Sequence, residues 1–252
     1  MRIRTRLFVK EDLYEGAAIS LHDEQAHQLI KVLRVRVGET LALFNGYAGT
    51  FLARITAVER RVVACDILEK ISEQLSPGAL KLAFAPLKKA RTDFVAQRVV
   101  ECGFAHVTPV ITARTQTERF QKERFEANMR EAAEQCGINY IPTCSDPMDL
   151  RSFLDACDRS ETLFYGDESG KSDPALAVFE RFERNHPSVF LVGPEGGFEP
   201  DEFAVLHDRD GCVGVGLGPR ILRADTAIVV AAALWQGCLG DFQVPPRFNP
   251  VA

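Results

Sequence analysis

Residues 189–202 read Val189-Phe190-Leu191-Val192-Gly193-Pro194-Glu195-Gly196-Gly197-Phe198-Glu199-Pro200-Asp201-Glu202. Four consecutive apolar residues bounded by Gly and Pro describe a buried strand, and the acidic, Pro-containing segment after the glycines describes a helix start. Strand, glycine-rich loop, helix is the repeating unit of an open α/β sheet, in which ligands bind beyond the carboxyl ends of the strands. Glycine there lets backbone approach a ligand with no Cβ in the way. Taken alone, Gly-Pro-Glu-Gly-Gly is as readily a plain tight turn.

A second segment repeats the layout. Cys212 to Leu217 reads as a strand, Gly218-Pro219-Arg220-Ile221-Leu222-Arg223 as a loop, and Asp225-Thr226-Ala227 opens a helix through Leu239. That helix is nearly continuous in Ala, Val, Ile, Leu and Trp235, which places it in a core or at a subunit interface. The run Gly214-Val215-Gly216-Leu217-Gly218 is not a dinucleotide fingerprint, because Pro219 stands at the third glycine position. Phosphate-loop, zinc-protease and nucleophile-elbow motifs are absent. The five histidines have no metal-ligand spacing, so no metal is expected.

Working outward, strand patterns recur near 80–85, 106–111, 140–143, 162–165, 188–192 and 212–217. Helical patterns lie between and after them, near 91–102, 118–136, 147–157, 174–184, 200–208 and 225–239. This alternation predicts an α/β fold with a mostly parallel sheet covered on both faces. Residues 1–72 differ: short β-rich runs at 7–10, 40–44, 50–58 and 61–68, a hairpin signal at Asn45-Gly46, and one helix from Asp23 to Leu33. A small closed barrel is the economical solution. The polar segment Ser72 to Gly78 is the linker, giving domains 1–72 and 73–252.

Charge restricts the partners. The net charge is −5; residues 1–72 carry 11 Lys+Arg against 9 Asp+Glu, and the remainder 19 against 26. Any nucleic-acid surface must therefore be a local arginine patch. No run of about 18 apolar residues exists and no signal-peptide core follows Met1, so no membrane is expected and a cytoplasmic location is. Seven cysteines, an odd number without a C-x-x-C pair, read as reduced core residues.

Several motifs stand in register with one family. His27-Gln28-Leu29-Ile30-Lys31-Val32-Leu33-Arg34 resembles H-x-L-x-x-V-L-R, and Gly38 to Gly46 resembles G-D-x-x-x-L-F-D-G. Lys88-Lys89-Ala90-Arg91-Thr92-Asp93 is similar to K-G-D-R-M-D/E, and Glu134-Gln135-Cys136-Gly137 with Pro142 to E-Q-C-G-R-x-x-x-P. Gly193 to Gly197 and Leu217 to Ala227 match G-P-E-G-G and L-G-x-R-I-L-R-x-E-T-A. The sequence resembles the ribosomal small subunit methyltransferase E family, 16S rRNA uridine N3-methyltransferases of the SPOUT superfamily. Departures include Ala90 for Asp, Arg98 for Lys, and Asp225 for Glu; the last is expected to cap the final helix.

The resemblance implies an N-terminal PUA-like RNA-binding β-barrel and a C-terminal SPOUT domain tied in a deep trefoil knot, an exception to the rule that chains do not thread loops. It implies S-adenosyl-L-methionine as cofactor, with S-adenosyl-L-homocysteine as product. Leu191, Gly193, Glu195, Gly196, Leu217, Pro219, Ile221, Leu222 and Ala227 would surround the cofactor. Arg223 would stabilise charge on the uracil carbonyl oxygens; the alternative for it is an ion pair anchoring the last helix. Arg6, Arg34, Arg91 and Arg114 would contact RNA, and the partners would be 16S rRNA, within the assembled small subunit, and a second copy bound through the knotted domain. Two other functions stay open: methylation of another RNA or atom, and a catalytically silent RNA-binding assembly factor.

Overall fold

The computed structural model describes residues 3–116 and 119–245. They form two compact units, one of residues 3–76 with 133–141, the other of 77–132 with 142–245. The first unit thus includes a segment that a single boundary in the sequence does not express.

The first unit contains β1 (Ile3–Phe8), β2 (Ala18–Leu21), α1 (Asp23–His27), β3 (Thr40–Phe44), β4 (Thr50–Val58) and β5 (Val63–Ser72). The sheet order is β1-β3-β4-β5-β2, antiparallel except for the parallel β1–β3 pair. Leu7, Leu21, Leu29, Leu43, Phe51 and Ile55 fill its interior. Among the described residues the two edge strands share no ladder. Gln25 of α1 instead donates its Nε2 to the Phe8 carbonyl at 2.6 Å, so a helix side chain, rather than another strand pairing, covers that edge.

Two local details depart from expectation. The predicted helix from Asp23 to Leu33 is α1 followed by one π-helical turn, Gln28–Val32, in which Leu33 N–H reaches Gln28 O. The chain leaves that turn at Arg34 with φ 52°, a left-handed conformation costly for a residue with a Cβ. The Asn45-Gly46 hairpin joins β3 to β4 by a five-residue loop rather than a two-residue turn. Asn45 Oδ1 accepts the N–H groups of Tyr47 (3.3 Å) and Ala48 (2.9 Å), and the positive φ values fall on Gly46 and Gly49.

The second unit contains β6 (Leu80–Phe84), α2 (Lys89–Glu101), β7 (His106–Ile111), α3 (Lys122–Cys136, whose last turn counts with the first unit), β8 (Thr143–Cys144), β9 (Met148–Asp149) and α4 (Leu150–Ala156). It continues through β10 (Thr162–Gly166), α5 (Ala175–Phe179), β11 (Ser188–Val192), α6 (Pro200–Asp208), β12 (Cys212–Val215) and α7 (Ala224–Cys238). The sheet order is β12-β10-β11-β6-β7-β8, with β9 also on β7, and every pairing is parallel.

Both faces of this sheet are buried. Leu163, Tyr165, Val189 and Leu191 point into one core with Leu150 and Phe153 of α4 and Leu206 of α6. Phe164 points the other way, edge-on to Phe179 of α5. On that face α7 packs against α2, α5 and β11, and Trp235 donates its indole N–H to Ser188 Oγ at 3.0 Å. Burial on two faces is why these strands read as continuous apolar runs rather than as alternation.

The strand order sends the chain back across the sheet. From β11 it passes over β10 to the edge strand β12, then returns by residues 216–223 to α7 beside β11. No helix among the described residues is long and apolar enough to cross a membrane.

Candidate functional site: a cleft at the carboxyl ends of β10, β11 and β12

Three neighbouring parallel strands release their loops on one side of the sheet, and the loops enclose a cleft of about 550 Å3. The β11 loop contributes Gly193, Pro194, Glu195 and Gly197. The β12 loop contributes Gly216 through Leu222, and the start of α7 adds Ala224 and Ala227. The third wall is Gly166 at the end of β10 and the loop after it, with Asp167, Glu168, Gly170, Ser172 and Pro174.

Local chemistry fixes each wall. In the β11 loop, Gly193 faces the Phe198 ring so closely that a Cβ there would stand 2.9 Å from it. Phe198 is itself core, so the ring cannot retreat and the position requires glycine. The loop ends in α6, where Glu199 and Glu202 form a reciprocal capping box with Pro200 at the helix start. Residues after β7 brace the same loop: Arg114 donates Nε to Glu199 Oε1 (2.7 Å) and Nη1 to Gly196 O (2.6 Å), and Ala113 N–H donates to Glu202 Oε1 (2.8 Å). Arg91, in the first turn of α2, donates to Glu195 Oε1 at 3.0 Å and lies 3.8 Å from Asp225 Oδ2.

The β10 loop is pinned to β12 by backbone bonds, Asp167 N–H to Val215 O, Gly216 N–H to Asp173 O and Ala175 N–H to Gly216 O. Within it the Asp167 carboxylate accepts from Ser169 N–H (2.8 Å) and Ser172 Oγ (2.6 Å). Partial burial pushes the Asp167 pKa up, but the Ser172 and Ser169 hydrogen bonds together outweigh it and hold the group below the usual carboxylate range.

A family model for an RNA methyltransferase domain matches residues 74–236, and one for an RNA methyltransferase PUA domain matches residues 21–68. The chain belongs to the ribosomal RNA small subunit methyltransferase E family. The methyltransferase E of Synechocystis is 30% identical over 90% of this chain and 76% of its own length, and that of Rickettsia conorii 28% over 90% and 93%. The crystal structure of the Neisseria gonorrhoeae methyltransferase E bound to S-adenosyl methionine superposes with a TM-score of 0.84 at 29% identity, covering 94% of this chain and 99% of that one. The expected fold class, a SPOUT domain with a PUA-like partner, is therefore that of this chain.

Of the residues assigned to the cofactor by resemblance to methyltransferase E, the structure brings Gly193, Glu195, Leu217, Pro219, Ile221, Leu222 and Ala227 to the cleft. Two are placed elsewhere. Leu191 lies in the core between sheet and helices, because alternation along β11 turns it inward, and its neighbour Val192 lines the cleft instead. Gly196 faces Arg114 on the outer side of the loop. Arg223 is the exposed N-cap residue of α7, directly after the lining segment, and makes no ion pair among the described residues. Asp225, expected as the cap, sits inside the first turn, because the helix begins at Ala224.

The four RNA candidates separate. Arg34 is exposed. Arg91 and Arg114 are partly exposed braces of the β11 loop. Arg6 is only 7% exposed; its Nη2 donates to Ile138 O and its guanidinium lies over the Phe44 ring, so it does not stand on the surface as the other three do. The sequence reading missed the β10 loop altogether. Its signal was available, since Thr162-Leu163-Phe164-Tyr165 runs into Gly166-Asp167-Glu168-Ser169-Gly170 with the same strand-to-glycine layout as the other two walls.

The cleft fits the expected cofactor. Its volume is within the range of about 300–1,000 Å3 for small-molecule sites. Val192, Leu217, Ile221 and Leu222 offer apolar surface for a purine, and the glycines expose backbone donors and acceptors.

Proposed function

We propose that this protein transfers the methyl group of S-adenosyl-L-methionine to N3 of a specific uridine in 16S rRNA. What carries the proposal is the three-loop cleft, in a chain whose methyltransferase and PUA models both match. The cofactor supplies an electrophilic methyl on a sulfonium. Loops 193–197 and 216–222 hold and orient it, through backbone groups and apolar contact, so that positioning accounts for much of the acceleration. Bound there, the donor would supply its methyl carbon to in-line attack by uracil N3, with the S–C electron pair left on sulfur and the N3 proton given to a base. Arg223 stabilises the negative charge that deprotonation spreads onto the uracil carbonyl oxygens. Arg34 takes a phosphate oxygen, and Arg91 and Arg114 do so on release from Glu195 and Glu199.

The protein acts in the cytoplasm, on the assembled small subunit, as a homodimer through the knotted domain. Support for the dimer is the outer side of α7, where Thr226, Val230, Ala233 and Gly237 form a small-residue face that is exposed or half-buried. Deleting the gene and digesting 16S rRNA to nucleosides tests the reaction. One N3-methyluridine should vanish and return with the wild-type gene; an unchanged nucleoside profile refutes the activity.

A further inference from the structure

The β10 loop is the wall that no motif assigned. We propose that Asp167 supplies the anion by which the cleft distinguishes the charged methyl donor from its neutral product, an inference that rests on the cofactor reading above. Donor and product share the same adenine, ribose, ammonium and carboxylate. They differ by one methyl and one positive charge, because the S–C bonding pair stays on sulfur when the methyl leaves. A fixed negative charge that nothing in the protein neutralises gives a site a preference for the donor.

Asp167 is such a charge. It lines the cleft, and its backbone N–H is bonded to Val215 O. Both carboxylate oxygens accept from neutral donors, Ser169 N–H on Oδ1 and Ser172 Oγ on Oδ2, and it forms no ion pair among the described residues. The donors hold the group in one orientation without cancelling its charge, so no reorganisation is needed when a cation binds. Of the other two carboxylates that line the cleft, Glu195 shares its charge with Arg91 at 3.0 Å and Glu168 is exposed to solvent, whereas Asp167 is half-buried. The apolar lining residues Val192, Leu217 and Leu222 weaken solvent screening within the cleft.

The consequence is directional. Once the methyl has gone, the attraction to sulfur disappears and the product is held less tightly than the donor it came from. The test is calorimetric titration of the purified protein with S-adenosylmethionine, S-adenosylhomocysteine and sinefungin, which carries an amine cation in place of the methylated sulfonium. In Asp167→Asn the affinity for S-adenosylmethionine and for sinefungin should fall about tenfold. S-adenosylhomocysteine should change less than twofold, which also shows that the variant cleft is intact. Ser172→Ala, which keeps the charge, should retain most of the preference. An equal loss for all three ligands, or no loss for any, overturns the proposal. A wild-type protein that binds none of the three refutes the cofactor reading itself.

Discussion

Arg223 shows how much a single position can decide. It caps α7 while exposed, follows the lining segment 216–222 directly, and has no carboxylate partner among the described residues. The alternative of a helix-anchoring ion pair is thereby disfavoured, and a guanidinium that stays charged is left beside the cleft. Arg223→Ala should lower single-turnover methyl transfer by about 10²–10³-fold, the usual effect of removing one donor to a developing oxyanion. Cofactor affinity in a calorimetric titration should stay within twofold; a loss of binding as large as the loss of rate would make Arg223 a cofactor ligand instead. Arg91 behaves differently, because it bridges Glu195 and Asp225. Arg91→Met should cost less than about 1 kcal/mol in global stability, as a partly exposed ion pair does, yet weaken cofactor binding several-fold by freeing Glu195. Thermal unfolding and titration of the same preparation separate the two effects. At this scale the sequence was legible wherever a residue's role follows from being glycine or from adjoining a loop. It was illegible where strand alternation decides, as with Leu191 and Val192, or where a partner remote in sequence does, as with Arg6 and Ile138.

Elements were read more surely than their ends. Strands β7 and β11 and helix α6 fall on the predicted residues, because apolar runs bounded by Gly, Pro and acidic caps mark both ends. Strand β2, with only four residues beside a turn at Gly16, was missed, and so was the π-helical turn, since no local propensity distinguishes it from the α-helix it extends. The β8 segment, expected over 140–143, is Thr143–Cys144. A side chain holds that short edge strand in place: His106 of β7 contacts Thr143 Oγ1 at 2.6 Å through Nδ1 and Ser145 Oγ at 2.9 Å through Nε2. Burial, with Lys81 and Lys122 nearby and only Glu161 opposing, pushes the His106 pKa below 6.5. The folded protein therefore keeps the ring neutral in a range where the unfolded chain takes up a proton. The His106 contribution is complete above about pH 6.5 and is lost as pH falls from there through the folded-state value. Stability should accordingly drop between pH 7.5 and 5, and His106→Gln should flatten that drop; denaturant midpoints at the two pH values measure it, and an unchanged slope removes His106 as a cause.

For the molecule as a whole, charge and function pull in opposite directions. An RNA-binding protein with a net charge of −5 cannot rely on a general positive field, and residues 73–252 carry 26 acidic against 19 basic side chains. Part of the basic set is moreover committed within the second unit: Arg91 to Glu195, Arg114 to Glu199 and Arg124 to Asp93. Residues 1–72, with 11 basic against 9 acidic side chains, have the more favourable balance, and there Arg34 stands exposed in a left-handed conformation without a partner among the described residues. Backbone strain kept at an exposed arginine costs stability that packing does not recover, as is common at binding sites. Arg34→Ala should therefore weaken RNA binding by a similar factor for every sequence tested, and reduce the magnitude of the slope of log K against log salt by about 0.7–0.9, the release expected for one phosphate contact. Cofactor titrations should not change, because Arg34 belongs to the first unit and the cleft to the second. If the salt slope is the same in wild type and variant, Arg34 touches no phosphate, and the grip on RNA must then come from Arg91 and Arg114, each of which would first have to leave its carboxylate.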